Sequence, residues 1–304
     1  MNSKLINWLI FGVTSLIWGS SFILMKLGLY DASQKPTLSA VQVASLRIFS
    51  AGLILSPFLL KDYKSVPLSK FPALALSGLL GIFMPAFLFC LAETRINSTL
   101  AGTINALTPL FVILSGIFIF KSKVPFRQAL GIALGFTGTL LLFLTSRTAD
   151  GVNLGYTFLV VIATLSYGLN ANLVRHSLAG VPSLMIAAFS FGFFAIPSLI
   201  ILTLSGYFAL PITRHSYLVS TLASCFLGIV GSALAWFLFY VLIKRTSALF
   251  ASSATYAIPF VALGWGWIYG EKTTVLQLVC LLIILFGVYL TRPQIAKSVS
   301  ANDV

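Results

Sequence analysis

The stretch WGSSFILMK at residues 18–26 returns in altered form as YGLNANLVR at residues 167–175, a shift of 149 positions. Similar shifts of 147 to 150 positions relate three later pairs: Leu80-Gly81-Ile82 and Leu227-Gly228-Ile229, Pro109 and Pro259, and Gly138 and Gly287. A similarity that keeps one period along a chain indicates a repeated structural unit. The sequence therefore predicts a tandem duplication whose two copies fold alike.

The composition excludes an ordinary soluble domain. Of the 304 residues, 59% are hydrophobic and 8% are charged, and the mean hydropathy is +1.02, whereas about 25% of residues are charged in soluble proteins. The net charge of +13 comes from lysines and arginines scattered singly between apolar runs. A phosphate-binding face needs such charges clustered. The predicted surroundings are therefore a lipid bilayer, and nucleic acid is not an expected partner.

The apolar runs predict membrane spans, since a transmembrane helix needs roughly 20 mainly apolar residues. Ten stretches reach this length, at about residues 7–27, 37–60, 71–92, 97–119, 126–145, 152–174, 182–205, 217–243, 248–269 and 274–291. A polar segment near residues 146–151 divides them into units at 7–145 and 152–291. Because each unit holds five spans, an odd number, the second must insert upside down. The predicted fold is an all-α integral membrane protein of ten transmembrane helices in two inverted five-helix repeats.

The basic residues of the loops predict the orientation. With the N terminus inside, 12 of the lysines and arginines outside the spans face the cytoplasm and 5 face the other side. Loops rich in lysine and arginine stay on the cytoplasmic side. We therefore expect a multi-pass protein of the cell's inner (plasma) membrane, with both termini cytoplasmic.

Several phrases resemble the drug/metabolite transporter superfamily, in particular its members with two EamA domains. The segment LIWGSSF at residues 16–22 is similar to their opening. The segment ALTPL at residues 106–110 and its second copy, YAIP at 256–259 followed by GEK at 270–272, are similar to their proline and terminal glycine–glutamate phrases. The resemblance covers roughly residues 7–291. The first copy departs from the pattern, because Lys121 stands where the second has Glu271.

The resemblance implies a carrier that exports a small amphipathic organic solute, such as an amino acid, a related metabolite or a drug, by alternating access. Uptake of such a solute is the alternative direction, and a membrane-embedded enzyme is an alternative of another class. The sequence offers little for catalysis, since its two histidines, His176 and His215, fall in loops assigned to opposite faces and no metalloprotease or phosphate-loop motif is present. No catalytic residue, metal or cofactor is expected, and monomer and homodimer are both open.

Arg47 is the clearest charged residue within a predicted span. It lies about 10 residues into a span of about 24, roughly 15 Å deep and near the midplane at 1.5 Å per residue. A guanidinium at this depth could bind a carboxylate or phosphate through its planar fork of donors. The alternative is a structural role, in which Arg47 ties helices together through backbone carbonyls. The second copy has Ala187 or a neighbour in its place.

Neutral polar and aromatic residues form a second set of candidates for the substrate site. A site for an amphipathic metabolite combines aromatic walls with a few hydrogen-bonding groups. With Arg47, the predicted substrate-binding residues are Trp18, Ser21, Asn105, Tyr167, Asn170, Trp236, Tyr240 and Tyr256. The alternative is that the serine and asparagines join transmembrane helices and that the aromatic residues belong to the interfacial belt.

A third set of residues is predicted to act in gating or coupling. Lys26 lies at the end of the first span, where it could also reach the interface with its long side chain. Glu93 and Glu271 are predicted at span ends, and Glu93 is expected at the interface or in an outer gate. Pro109 and Pro259 occupy matching places in the two copies and could act as paired hinges or as simple packing kinks.

Overall fold

The computed structural model describes residues 3–96, 98–145, 153–261 and 275–291, and this part is almost entirely helical. The helices are α1 (Ser3–Leu29), α2 (Ala40–Asp62), α3 (Leu68–Ala92), α4 (Ser98–Asn105), α5 (Thr108–Phe118), α6 (Phe126–Thr145), α7 (Leu154–Ser177), α8 (Ser183–Leu204), α9 (His215–Arg245), α10 (Ala248–Val261) and α11 (Val275–Thr291).

Helix starts follow local capping chemistry. Ser39 caps α2 by a reciprocal capping box, in which its hydroxyl accepts from the Gln42 amide while the Gln42 side chain accepts from the Ser39 amide. Asn153 caps α7 and Ser247 caps α10, each through a side-chain oxygen that accepts from the amide three residues later. These bonds satisfy amides that have no partner in the first helical turn.

The helices have the length and composition of membrane spans. Seven of the described helical segments are long and apolar enough to cross a bilayer, and residues 248–261 and 278–291 form shorter apolar helices. If the broken pair α4–α5 is taken as one crossing, the helices correspond to the ten predicted stretches. The prediction of an all-α, multi-pass membrane protein is confirmed.

Contacts between helix ends show that the two halves are inverted. We call the face where α1 begins the N-terminal face and the face where it ends the distal face. The start of α1 meets the end of α9 through an Arg245–Asn7 hydrogen bond of 2.7 Å. At the same face, Lys70 at the start of α3 donates to the carbonyl of Ser177 at the end of α7 (2.9 Å). The first helix of the second half therefore ends where the first helix of the first half begins.

Both copies of the Leu-Gly-Ile phrase lie in π-helical turns, within Leu79–Phe83 of α3 and Leu227–Leu234 of α9. A π turn widens a helix locally and changes the side chains that it presents. Gly81 packs closely against Asn170 of α7, and Gly231 packs in the same way against Ser21 of α1, the residue equivalent to Asn170. The structure therefore pairs Gly81 with Gly231, a shift of 150 positions, and not with Gly228 as the Leu-Gly-Ile phrase suggested. The predicted duplication thus extends to the irregularities of the helices.

Helices α2 and α8 cross at the centre of the molecule, where Gly52 packs against Ala195. Gly52 and Ala195 are 143 positions apart in the sequence, and Arg47 and Ser190 are separated by the same number of positions. Their backbone carbonyls indeed make matching contacts, Arg47 with Gly228 of α9 and Ser190 with Gly78 of α3. Ser190, three residues beyond Ala187, is therefore the counterpart of Arg47, where the sequence suggested Ala187 or a neighbour.

Helices α6 and α11 form the second symmetric crossing. A methyl group added at Gly287 would lie 2.6 Å from the Gly131 carbonyl oxygen and 2.6 Å from the Gly135 amide nitrogen, and one at Gly138 would lie 3.1 Å from the Cys280 carbonyl. Only glycine allows this approach of two backbones, as is common between transmembrane helices.

Candidate functional site: a cavity between the repeats

A cavity lies where the two repeats meet, in the middle of the bundle. The cavity has a volume of about 50 Å³, counted as the space that the centres of water molecules can occupy. One water needs roughly 10–15 Å³ of such space, so the cavity holds only a few waters. Its lining residues come from both repeats: Trp18, Ser21, Phe22, Met25, Arg47, Phe89, Asn105, Thr108, Tyr167, Trp236, Phe239, Ser252, Thr255 and Ile258.

Aromatic rings form most of the cavity wall. The Trp18 ring lies 5.1 Å from that of Phe239 and 5.6 Å from that of Trp236, and the Tyr167 ring lies 5.4 Å from Trp236 and 5.9 Å from Phe89 (centroid distances). Aromatic pairs at 4.5–7 Å attract each other beyond the area that they bury. Trp18 corresponds to Tyr167 in the repeat, and Phe89 to Phe239, so this wall is approximately symmetric.

Arg47 is the charged residue of the cavity lining and is 7% exposed. Its Nε donates to Ser232 Oγ of the π turn in α9 (2.5 Å), and no further hydrogen bond of its guanidinium is found within the described residues. The other two nitrogens can therefore bind a guest. The sequence placed Arg47 near the midplane, but because Ser39 caps α2, the helix begins at Ala40 and Arg47 lies only seven residues, about 10 Å, from its distal end.

The part of the cavity wall that α4 and α5 form contains a break in the helix. The helix stops at Asn105 and restarts at Thr108, whose hydroxyl donates to the Asn105 carbonyl (2.8 Å). Pro109 lies in the first turn of α5, where a missing amide costs nothing. Pro259 likewise follows an irregular segment, the 3₁₀ helix Ser253–Ala257. The two prolines thus follow matching breaks beside the cavity, and their action as hinges stays a prediction.

Six of the nine predicted substrate-binding residues line the cavity, namely Trp18, Ser21, Arg47, Asn105, Tyr167 and Trp236. The structure does not bring the other three to it. Asn170 is fully buried behind the wall, where it accepts from Ser77 Oγ (2.7 Å) and donates to Tyr240 Oη (3.4 Å). Tyr256 is turned away to α6. The reason is the helix register, because these side chains lie on helix faces that pack against other helices.

The Tyr256 hydroxyl joins the two repeats, because it donates to the Ile132 carbonyl of α6 (2.9 Å). We predict that Tyr256→Phe lowers the free energy of unfolding by about 0.6–1.7 kcal/mol, the range for such bonds between transmembrane helices, and leaves solute affinity unchanged. Thermal melting and a binding titration measure the two effects. Tyr63→Phe, which removes an exposed hydroxyl, is the control. An affinity change above about threefold would contradict this assignment.

Eight lining residues were not predicted from the sequence. Phe22 and Met25 could have been, since Trp18, Ser21, Phe22 and Met25 follow the spacing of one helix face, and Phe239 lies three residues beyond Trp236. No sequence signal distinguishes Phe89, Thr108, Ser252, Thr255 and Ile258 from the apolar and small residues around them, because their exposure to the cavity depends on how the helices pack.

A second cavity, with about 220 Å³ open to water centres, lies toward the N-terminal face. Its lining includes the basic residues Lys123, Arg175 and His176. Contacts between α5 and α7 separate this second cavity from the central cavity. We call the four residues that make these contacts the α5–α7 clasp: Val112, Ser115, Gly168 and Asn172. Asn172 Nδ2 donates to the Val112 carbonyl (2.7 Å) and to Ser115 Oγ (2.9 Å). The Ser115 hydroxyl donates to the Phe111 carbonyl of its own helix (2.6 Å), and its oxygen also lies 3.3 Å from the Gly168 carbonyl. The clasp closes the central cavity on this side.

Lys26 and Glu93 lie together at the distal end of the bundle. The Lys26 ammonium donates to the backbone carbonyls of Glu93 (2.6 Å) and Ile96 (3.3 Å). The Glu93 side chain is fully buried, because α1 and α4 cover this helix end, and its part in an outer gate stays a prediction. Glu271 lies outside the described residues. No cluster of three or more His, Cys, Asp or Glu that could hold a metal ion occurs in the described part of the chain.

The inverted repeats, the cavity at their interface and the paired helix breaks define the class of protein as a membrane transporter. The chain belongs to the EamA-like transporter family, whose model matches residues 6–144 and 154–292.

Individual relatives agree with this assignment. The inner membrane transporter YedA of Escherichia coli K12 is 28% identical over 90% of this chain and 87% of its own length. A probable amino-acid metabolite efflux pump of Salmonella typhimurium is 23% identical over 90% of this chain and 91% of its own. A crystal structure that is 17% identical matches the fold with a TM-score of 0.68, over 94% of this chain and 96% of that chain.

Proposed function

We propose that the protein is a secondary-active carrier that exports a small amphipathic solute with an anionic group, of the amino-acid or related metabolite class, by alternating access. One observation carries the proposal: Arg47, two of whose guanidinium nitrogens have no hydrogen-bond partner among the described residues, faces an aromatic cavity at the interface of two inverted repeats.

The chemistry of the cavity favours a solute with an apolar body and a carboxylate. The aromatic rings supply an apolar wall, and the free nitrogens of Arg47 supply a planar pair of donors that matches a carboxylate. Helix α5 begins at Thr108 in the lining, so the positive end of its dipole also favours an anion there. Asn105 and Ser21 add polar groups.

The conformation supports alternating access. The central cavity, at about 50 Å³, is smaller than the roughly 300–1,000 Å³ of sites for drug-sized ligands, so the bundle would have to widen there to hold a solute. Opening the α5–α7 clasp would join the central cavity to the second cavity, whose Lys123 and Arg175 would attract an anionic solute. The helix breaks before Pro109 and Pro259 offer places where the bundle could bend.

Direction and orientation follow from the loop charges and from the relatives. The excess of basic loop residues at the N-terminal face favours a cytoplasmic location for that face, so the clasp would be the inner gate. The similarity to YedA, an uncharacterized inner membrane transporter, and to the probable efflux pump of Salmonella supports an inner-membrane exporter. An importer with the same cavity is the alternative, and the oligomeric state is open.

The test begins with a thermal-shift screen of the purified full chain against amino acids, their N-acylated and esterified derivatives, and small carboxylates. A ligand at a hundred times its Kd stabilises by about 2.7 kcal/mol. We expect free carboxylates with an apolar side chain to raise the melting temperature and their esters to have little effect. Hits are then tested for saturable counterflow in proteoliposomes.

The outcomes separate the alternatives. Counterflow of a hit marks a carrier, and uptake into inverted membrane vesicles identifies export, whereas uptake into right-side-out vesicles identifies import. If no member of the panel shows counterflow, the proposal fails for this solute class. Chemical conversion of a hit during the incubation would favour the enzyme alternative.

A further inference from the structure

The carboxyl group of Glu93 is the one acidic side chain buried inside the described part of the bundle. It is fully buried at the end of α3, one residue past the span Leu68–Ala92. Oε2 accepts from Ser98 Oγ (3.2 Å), whereas Oε1 has no hydrogen-bond partner. A buried carboxylate without a full set of partners is costly to keep charged. The site therefore favours the neutral, protonated carboxyl.

The hydrogen bond from Lys26 to the end of α3 has a structural counterpart in the second repeat. Its ammonium donates to the carbonyl of Glu93 at the end of α3, and Arg175 of α7 donates in the same way to the carbonyl of Ile243 at the end of α9 (3.2 Å). These are the equivalent helix ends of the two halves. Such cations satisfy helix carbonyls that lack partners, so this role of Lys26 does not require an acidic side chain at position 93.

The second repeat shows that the fold does not need the buried acid. Ile243 stands at the position of Glu93, and Ala248 at that of Ser98, and both of these apolar residues are buried. An apolar pair thus fills the equivalent space without a desolvated charge. Because the first repeat keeps an acid in a place where the fold accepts isoleucine, structural need does not explain Glu93.

We propose that Glu93 is the binding site of a coupling proton, so that solute movement is linked to proton movement. This inference rests on the proposed carrier function and names its coupling ion.

The charged and titratable groups around Glu93 are Lys26 from α1, Arg47 from α2 and Cys90 from its own helix. Burial raises the pKa of the Glu93 carboxyl, against the smaller lowering effects of Lys26, Ser98 and Arg47. In the described state the proton is held. When the distal side opens, water reaches the carboxyl, the pKa falls, and the charged carboxylate gains the nearby Lys26 ammonium as its partner.

The proton moves between water and one carboxylate oxygen of Glu93, and no other bond is made or broken. Arg47 links this site to the solute, because it interacts electrostatically with Glu93 and also lines the central cavity. An anionic solute near Arg47 neutralises part of the positive charge that favours ionised Glu93. Solute and proton binding therefore influence each other.

The first experiment needs no solute. Infrared spectra of the purified full chain are recorded during a pH titration, with the C=O absorption of protonated carboxyl groups as the signal. We expect a band that persists well above the ordinary pKa of glutamate, about 4.3, is lost in Glu93→Gln and is retained in Asp62→Asn. Asp62 is an exposed acid at the N-terminal face, so it is a matched control. A spectrum of Glu93→Gln that equals wild type at every pH overturns the inference.

The second experiment measures coupling. Proteoliposomes with an acidic interior and proteoliposomes with an alkaline interior are given a radiolabelled amino-acid mixture or the best hit of the thermal screen. One-for-one coupling gives up to about tenfold accumulation per pH unit, in the acidic interior for exchange and in the alkaline interior for cotransport, since a pH unit is a tenfold ratio of proton activity. We expect accumulation in the wild type and in Asp62→Asn. In Glu93→Gln we expect no accumulation and a solute exchange rate that no longer varies with pH.

A double variant covers a failure to fold. Glu93→Ile with Ser98→Ala installs the apolar pair of the second repeat, so it should melt at or above the wild-type temperature and also lose accumulation. Accumulation by either variant at the wild-type level overturns the proton site and leaves the carrier function standing. A Glu93-dependent infrared band in a protein that transports no tested solute has the opposite meaning: the proton site stands and the proposed solute class fails.

Discussion

Arg47→Ser is expected to weaken binding of the anionic solute about 10- to 150-fold, because a hydrogen bond to a charged group is worth about 1.5–3 kcal/mol. Serine is the residue that the second repeat places at this position, as Ser190, so the fold should accept it. The loss should be confined to solutes with a free carboxylate. Their esters, which already bind weakly, should change little.

The measurement is a binding titration with the best hit of the thermal screen. Arg47→Lys keeps the charge but loses the planar fork, so it should give an intermediate loss. Lys64→Ser removes one positive charge from an exposed position at the N-terminal face and controls for net charge. If Arg47→Ser binds every solute with an affinity within twofold of wild type, Arg47 does not bind the solute and has only a structural role.

Gly287→Ala is expected to lower the free energy of unfolding by about 1–3 kcal/mol, the usual cost of overpacking a close-packed core. The added methyl group would meet backbone atoms of Gly131 and Gly135 on α6, each within 2.9 Å. Backbone cannot move aside as a side chain can, so α6 and α11 would have to separate. These two helices belong to different repeats, and we therefore expect the joint between the repeats to loosen.

Thermal melting of the purified protein measures this loss. The control is Gly12→Ala in α1, where a methyl group would meet no atom within 4 Å. There alanine should stabilise by up to about 1 kcal/mol, since glycine disfavours the helix by that amount. Equal melting temperatures for the two variants would contradict the close contact between α6 and α11.

Much of the fold followed from the residues alone, because membrane spans and repeats are local or periodic patterns. The match of WGSSFILMK to YGLNANLVR predicted the duplication, and an odd number of spans predicted the inversion. Trp18 and Tyr167, which correspond in that match, do lie on the same cavity.

The candidate site was only partly predictable, because burial in a membrane protein depends on partners far away in sequence. Asn170 and Ser21 are equivalent in the repeat, yet Ser21 lines the cavity and Asn170 packs behind it. Glu93 was expected at the interface or in an outer gate because it ends a span, and helices α1 and α4 enclose it. No local pattern reports such enclosure.

The sequence by itself determined the membrane class, the two repeats and their inversion, since hydropathy, length and internal similarity depend only on the order of residues. The tertiary structure alone decided which side chains meet. It placed Arg47 beside Ser232 with two nitrogens free, matched Arg47 with Ser190, and buried Glu93 with one oxygen unpaired. Helix register and packing at the repeat interface set these contacts, and both arise only when the two halves are assembled.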